Sequence, residues 1–180
     1  MTDLELWQKI KEDDKAAFEE LYHRYYSPLF AYGVRLHFDA ETTKDCLQDI
    51  FVRMYIKRCD LPELISVKAY LYRSLMNALL DTTKNAQNKT VSLDELEDLS
   101  IDDTGFSTLM EKNDVDLRKI QLLKKGFEQL SSRQKNALYL RFIQEFSWDE
   151  LSQMLEMSSH SCMNLVGRAI AKLRDIIVIH

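Results

Sequence analysis

Apolar residues recur at steps of three and four along most of the chain, which is the spacing of amphipathic helices. Leu4, Trp7 and Ile10 predict a short first helix ending at the polar run Glu12-Asp13-Asp14. Phe18, Leu21, Tyr22, Tyr25, Leu29, Tyr32 and Leu36 predict a long second one, with Pro28 inside it as a kink or local break. A third helix starts at Asp39 and runs to about Lys57, its apolar face made by Cys46, Leu47, Ile50, Phe51, Met54 and Tyr55. Asp45, Gln48 and Asp49 share the opposite face. Pro62 makes the stretch 60–64 a loop. A fourth helix then runs from Val67 to Lys84, with Leu71, Leu75, Ala78 and Leu79 as core and Tyr70, Tyr72, Arg73 and Asn77 on its more polar side.

Periodicity is lost over 85–117, where polar and acidic residues dominate, and a linker is the reading. It resumes near Arg118 with Ile120, Leu123, Phe127 and Leu130. Ser131 and Gln134 have capping-box spacing and open a helix carrying Leu138, Phe142 and the cations Arg133, Lys135 and Arg141. Ser147 and Glu150 form a second such box. Leu151, Met154 and Leu155 follow on one stripe, then a short turn at Glu156-Met157-Ser158. A longer helix carries Cys162, Val166, Ala169, Ile170 and Leu173. Two helices joined by a tight turn, the second ending in cations, spell helix-turn-helix. That is a shape before it is a function, since any helical hairpin shows capped, amphipathic helices.

Composition agrees with an all-α fold. The 180 residues are 46% hydrophobic, enough to fill a core, and contain only four Gly and two Pro. The expected layout is two small helical domains, 1–84 and 118–180, joined by a flexible acidic linker at 85–117. The second contains the helix-turn-helix.

Chemistry-bearing patterns are few. Glu20 and His23 have the Glu-x-x-His spacing of di-iron bundles, but those need two copies and the sequence offers one, so no metal is expected. Cys46, Cys59 and Cys162 are an odd number without metal spacing. Neither a disulfide framework nor a zinc site is indicated. No nucleophile–base pair or phosphate-binding glycine loop appears, so neither an enzyme nor a cofactor nor a small-molecule substrate is expected. The acidic start and the lack of a long apolar run predict a cytoplasmic protein that does not insert in membranes.

The net charge of −5 looks wrong for a nucleic-acid binder until it is divided along the chain. Residues 1–84 carry 12 cations and 14 anions (net −2), 85–117 carry 2 and 9 (net −7), and 118–180 carry 10 and 6 (net +4). The excess negative charge lies in the middle, and the piece with the helix-turn-helix is basic.

Four stretches taken together carry a resemblance. They are Phe18-Glu19-x-Leu21-Tyr22-x-x-Tyr25, Asp45-x-x-Gln48-Asp49-Ile50-Phe51, and Tyr70-Leu71-Tyr72-Arg73-x-x-x-Asn77-x-x-x-Asp81. The fourth is Leu130-Ser131-x-Arg133-Gln134 with Phe146-Ser147-x-x-Glu150-Leu151 and Arg168-Ala169-x-x-Lys172-Leu173-Arg174. In this order, with an acidic linker between the halves, the chain resembles the extracytoplasmic-function group of sigma-70 family RNA polymerase sigma factors.

The resemblance implies a protein without catalysis whose partners are core RNA polymerase, promoter DNA and an anti-sigma factor. It implies polymerase docking through Asp45, Gln48, Asp49 and Phe51. Minus-ten DNA would meet Tyr70, Tyr72, Arg73, Asn77 and Lys84, with loop 60–66 capturing a base of the unpaired strand. Minus-thirty-five DNA would meet Arg141, His160, Ser161, Met163, Asn164, Arg168 and Lys172. The chain departs from the family's pattern in several places. Tyr70 stands where tryptophan is usual, and only Lys84 and Lys89 represent an arginine-rich run. Met163 and Leu165 replace a lysine and an arginine, which implies two lost contacts and a flatter salt dependence upstream. Two other readings compete: a helix-turn-helix regulator that binds duplex DNA unaided, and an all-helical adaptor or sequestering protein. Binding to core polymerase separates the first reading from both.

Overall fold

The computed structural model describes residues 1–36, 38–87 and 117–178, with side chains for all of these except 84–87, 117–120 and 177–178. Among the described residues there are helices and turns and no strand. The chain divides into two compact units, Met1–Val91 and Ser92–His180. The linker read at 85–117 lies almost entirely outside the described residues.

The first unit contains α1 (Asp3–Lys11), α2 (Lys15–Arg35), α3 (Ala40–Ile56), a 3₁₀ turn (Arg58–Asp60) and α4 (Val67–Gln87). Each helix start has a local cause. Thr2 and Glu5 exchange side-chain-to-backbone bonds at the head of α1. Asp14 accepts from the Ala16 and Ala17 N–H groups before α2, and Asp39 from the Thr42 N–H before α3. Hydrogen bonds from Thr42 hold the Asp39 carboxyl below the usual range. The helix α2 runs on through Pro28 as one element, so the expected break is not there.

Leu6, Trp7, Ile10, Leu21, Leu29, Tyr32, Leu47, Leu71, Leu75 and Leu79 form the fully buried core of this unit. In α1 the periodicity misplaced one residue: Leu6 is inside and Leu4 is largely exposed. Gly33 lets α2 and α3 meet closely. A Cβ added there would stand 2.4 Å from Thr43 Cγ2, which is not a possible contact.

The second unit contains α5 (Leu117–Glu128), α6 (Ser132–Leu138), a π turn (Tyr139–Ile143), α7 (Trp148–Leu155) and α8 (Ser159–Val178). Ser131 with Gln134 and Ser147 with Glu150 make the two capping boxes expected from their spacing. Phe127, Leu130, Leu138, Leu140, Phe146, Leu151, Met154, Cys162, Val166 and Ala169 are buried. The π turn inserts an extra residue per turn, and it turns Phe142 outward. That side chain is 55% exposed rather than on the apolar face with Leu138. Burial raises the Cys46 and Cys162 thiols, which sit in the two cores as small neutral hydrophobes.

Candidate functional site

Three surfaces are built from the residues singled out above. On α3, Asp45, Gln48 and Asp49 are all exposed, as their helical phase requires. Asp49 pairs with Arg53 at 3.6 Å, itself exposed, a weak surface pair. Phe51 is not at the surface: it is 3% exposed, because its phase is that of Leu47 and Met54. Its ring meets Tyr22 edge-on at 4.9 Å and so forms the floor of something larger.

That larger feature is a groove of about 520 Å³ between α2 and α3, lined by Phe18, Tyr22, Tyr26, Lys44, Gln48, Phe51, Val52, Tyr55 and Ile56. Phe18, Tyr22 and Tyr26 follow one another at four-residue steps along α2, and Tyr26 continues to Phe30 in a stacked pair. Val52 and Ile56 stand at its edge, 46% and 69% exposed. Sequence reasoning missed it, since a second stripe on α2 reads as a wider core face. The signal was present: Tyr26 and Phe30 follow Tyr22 at four-residue steps, off the stripe that carries Leu21, Leu29 and Leu36.

The second surface is loop 61–66 with the start of α4. Tyr70 is half-buried, its ring edge-to-face with Trp7 at 5.4 Å. Arg73 is half-buried and Asn77 exposed. Tyr72 is a correction. It is 1% exposed and its ring lies 5.1 Å from that of Tyr32, so it belongs to the core and cannot meet DNA. The side chain of Lys84 lies outside the described ones. In the loop, Leu61 is buried while Ile65 is 80% exposed.

The third surface is the helix-turn-helix. Glu156 ends α7 in a left-handed conformation (φ 53°), and its N–H bonds the Ser152 carbonyl. Ser158 caps α8, accepting from the Ser161 N–H at 3.1 Å, and Ser159 ties across to Asp149 at 3.0 Å. The two helices then pack together, with Leu151, Met154 and Leu155 of α7 and Cys162, Val166 and Ala169 of α8 buried. The opposite side of α8 exposes His160, Met163, Asn164, Gly167, Arg168, Ala171 and Lys172 at helical spacing, while Ser161 is half-buried beside its cap.

Two expectations change here. Leu165 is 9% exposed and packs inward, so its place in the sequence removes no DNA contact from the outward face. Only Met163, 43% exposed, takes a position where charge was expected. Arg141 is no free cation either. It donates to the Phe146 carbonyl at 2.8 Å and lies over the Trp148 ring at 4.7 Å, closing the turn before α7.

Among the described residues no cluster of His, Cys, Asp and Glu is arranged to hold a metal ion, and no helix is long and apolar enough to cross a membrane.

Comparison with known proteins bears on all three surfaces. The model of Sigma-70 region 2 matches residues 21–89, and that of Sigma-70, region 4, matches residues 120–173, in the order the chain presents them. The RNA polymerase sigma-E factor of Streptomyces avermitilis is 25% identical over 158 residues, 88% of this chain and 83% of that one. The ECF RNA polymerase sigma factor SigM of Bacillus subtilis is 22% identical over 159 residues, 88% of this chain and 93% of that one. Among solved structures, CnrH in complex with the cytosolic domain of CnrY aligns with a TM-score of 0.63 at 18% identity, over 98% of this chain and 97% of that one. The sigma factor RpoE of Bartonella quintana, solved with the anti-sigma factor NepR, gives 0.58 at 17% identity over 90% and 97%. These two structures share the fold. With both region models matched in order and over more than half the chain, the conclusion is that this protein belongs to the sigma-70 family of RNA polymerase sigma factors, in its extracytoplasmic-function group.

Proposed function

We propose that this alternative sigma factor initiates transcription by binding alone, in the cytoplasm and without catalysis, through its three separate surfaces. Core RNA polymerase docks on α3 and the groove beside it. Asp45, Gln48 and Asp49 meet a basic helical partner and set its orientation. Phe18, Tyr22, Val52 and Ile56 supply the apolar burial that gives affinity. Tyr70, Arg73, Asn77 and loop 61–66 take hold of the unpaired minus-ten strand by stacking and capture of a base. The outward side of α8 enters the major groove at the upstream element, with Arg168 and Lys172 on phosphates and Asn164 and Met163 at base edges.

The observation that carries the reading is the pairing, on one helix, of an exposed acidic patch with an adjacent apolar groove. Exposed aliphatics beside exposed carboxylates are what a partner-binding surface needs and what a solvated face avoids. Anti-sigma control is part of the proposal, supported by two similar folds, one solved with the anti-sigma factor NepR and one with the cytosolic domain of CnrY. The test is capture of core polymerase by the wild-type chain and by Asp49→Lys. The substitution reverses an exposed charge, so the fold is unaffected and core binding weakens. Equal capture by both proteins removes α3 from the interface. No capture by the wild type removes the reading.

A further inference from the structure

The loop between the 3₁₀ turn and α4 has no helix or sheet of its own from 61 to 66. Such a stretch is ordinarily left to fluctuate, and a binding site made of it pays the ordering entropy when the ligand arrives. Here one face of α1 ties it down. Trp7 Nε1 donates to the Pro62 carbonyl at 2.9 Å. Gln8 Nε2 donates to Glu63 Oε2 at 2.7 Å, and the Lys11 ammonium pairs with the other oxygen of the same carboxylate. At the entry to the loop, Arg58 pairs with Asp13 just past the end of α1. At its exit, Ser66 accepts from the Ala69 N–H at 3.1 Å.

Trp7 serves twice. Its indole is fully buried, and the same ring that holds the loop's backbone stands edge-on to Tyr70 at 5.4 Å. One side chain therefore fixes the loop and the aromatic of α4 relative to each other. Of the loop residues outside these ties, Leu61 is buried and Leu64 half-buried, whereas Ile65 is an apolar side chain 80% exposed on a braced loop.

We propose that α1 is a positioning element for promoter opening: Trp7, Gln8 and Lys11 hold loop 61–66 and Tyr70 in their strand-capturing arrangement before DNA arrives, with Ile65 presented to the unstacked base. The proposal rests on the strand-capture reading given above and adds to it the residues that prepare the site. None of the three residues touches DNA. Their effect is confined to the step in which single strand is taken up.

Two variants test it in holoenzyme assembled with core RNA polymerase. Trp7→Phe keeps a ring in the core and against Tyr70 but removes the donor to Pro62. Q8A/K11A releases Glu63 and leaves the core untouched. The probe is a single-stranded DNA selected from a randomised pool on wild-type holoenzyme. Trp7→Phe should bind it roughly fivefold more weakly, the scale of one lost hydrogen bond. Q8A/K11A, which loses two ties, should bind it at least as weakly, and both should open duplex promoter more slowly. Amide exchange in 61–66 should speed up. Core affinity should stay at the wild-type level.

Variants that bind the single strand as well as wild type, with the loop exchanging faster, overturn the positioning role and leave strand capture standing. Variants that lose core affinity in step with strand affinity overturn it too, since α1 would then serve only the fold. A wild-type holoenzyme that selects no single strand overturns the capture reading and this proposal with it.

Discussion

Ile56 offers the cleanest test of the groove. It ends α3, lines the groove between α2 and α3, and is 69% exposed in the free chain. Burying an aliphatic side chain of this size contributes about 1.5–3 kcal/mol. Only the exposed part remains to be covered by a partner, roughly two thirds of the side chain, so docking gains about 1–2 kcal/mol from it. Ile56→Ala therefore weakens core polymerase binding by about 5- to 30-fold. The free protein loses little, since an exposed change at a helix end is worth within about 0.5 kcal/mol and Ala is the better helix former. Val34→Ala is the control, a similar truncation on α2 at 42% exposure and outside the groove. Titration of labelled chain with core enzyme, followed by anisotropy, reads the affinity, and thermal unfolding checks the fold. Wild-type affinity in Ile56→Ala, or an equal loss in Val34→Ala, refutes the groove as the contact.

Three further outcomes follow from the geometry. Gly33→Ala forces α2 and α3 apart, because the new methyl would overlap Thr43, and should cost about 1–3 kcal/mol in urea unfolding despite a better helix propensity. Lys172→Ala should lower the slope of log affinity against log salt for the upstream duplex by about 0.9, the share of one phosphate contact, whereas the inward-facing Leu165 has no such share to lose. The carboxyls of Glu63, held by Lys11 and Gln8, and of Asp13, held by Arg58, lie below their ordinary values of 4.5 and 3.8. A carboxyl depressed on folding stabilises above its unfolded value and loses that contribution as pH falls through the folded one. Thermal stability should therefore drop on acidification below those values, and Glu63→Gln should flatten the drop. An unchanged acid limb in that variant contradicts the assigned pairing.

Local rules made much of the fold legible in the sequence. Ser131 with Gln134, Ser147 with Glu150, and Asp39 each announced a helix start, because caps act over three residues and need no tertiary knowledge. The acidic patch of Asp45, Gln48 and Asp49 was legible for the same reason, being one face of one helix. What stayed hidden depends on neighbours. Tyr72 read as a DNA contact because the resemblance placed it with Tyr70, Arg73 and Asn77 on the more polar side of α4, yet its ring packs against Tyr32 of another helix in the core. Arg141 read as a contact to upstream DNA, and its bond to the Phe146 carbonyl and place over the Trp148 ring could not be read from spacing. Phe51 read as a docking residue and is the floor beneath one. The ties from α1 to loop 61–66 join residues more than fifty positions apart, as Trp7 to Pro62 does, and no pattern along the chain points to them.

As a sigma factor, the chain confers promoter choice on an enzyme that lacks it. Run-off transcription on templates mapped by crosslinking, with core RNA polymerase alone and with the chain added, is the decisive assay. A discrete transcript that appears only with the chain, and fades with Asp49→Lys, is the predicted result. Equal transcription with and without the chain, or retarded duplex DNA in the absence of core enzyme with no transcript in its presence, would contradict it.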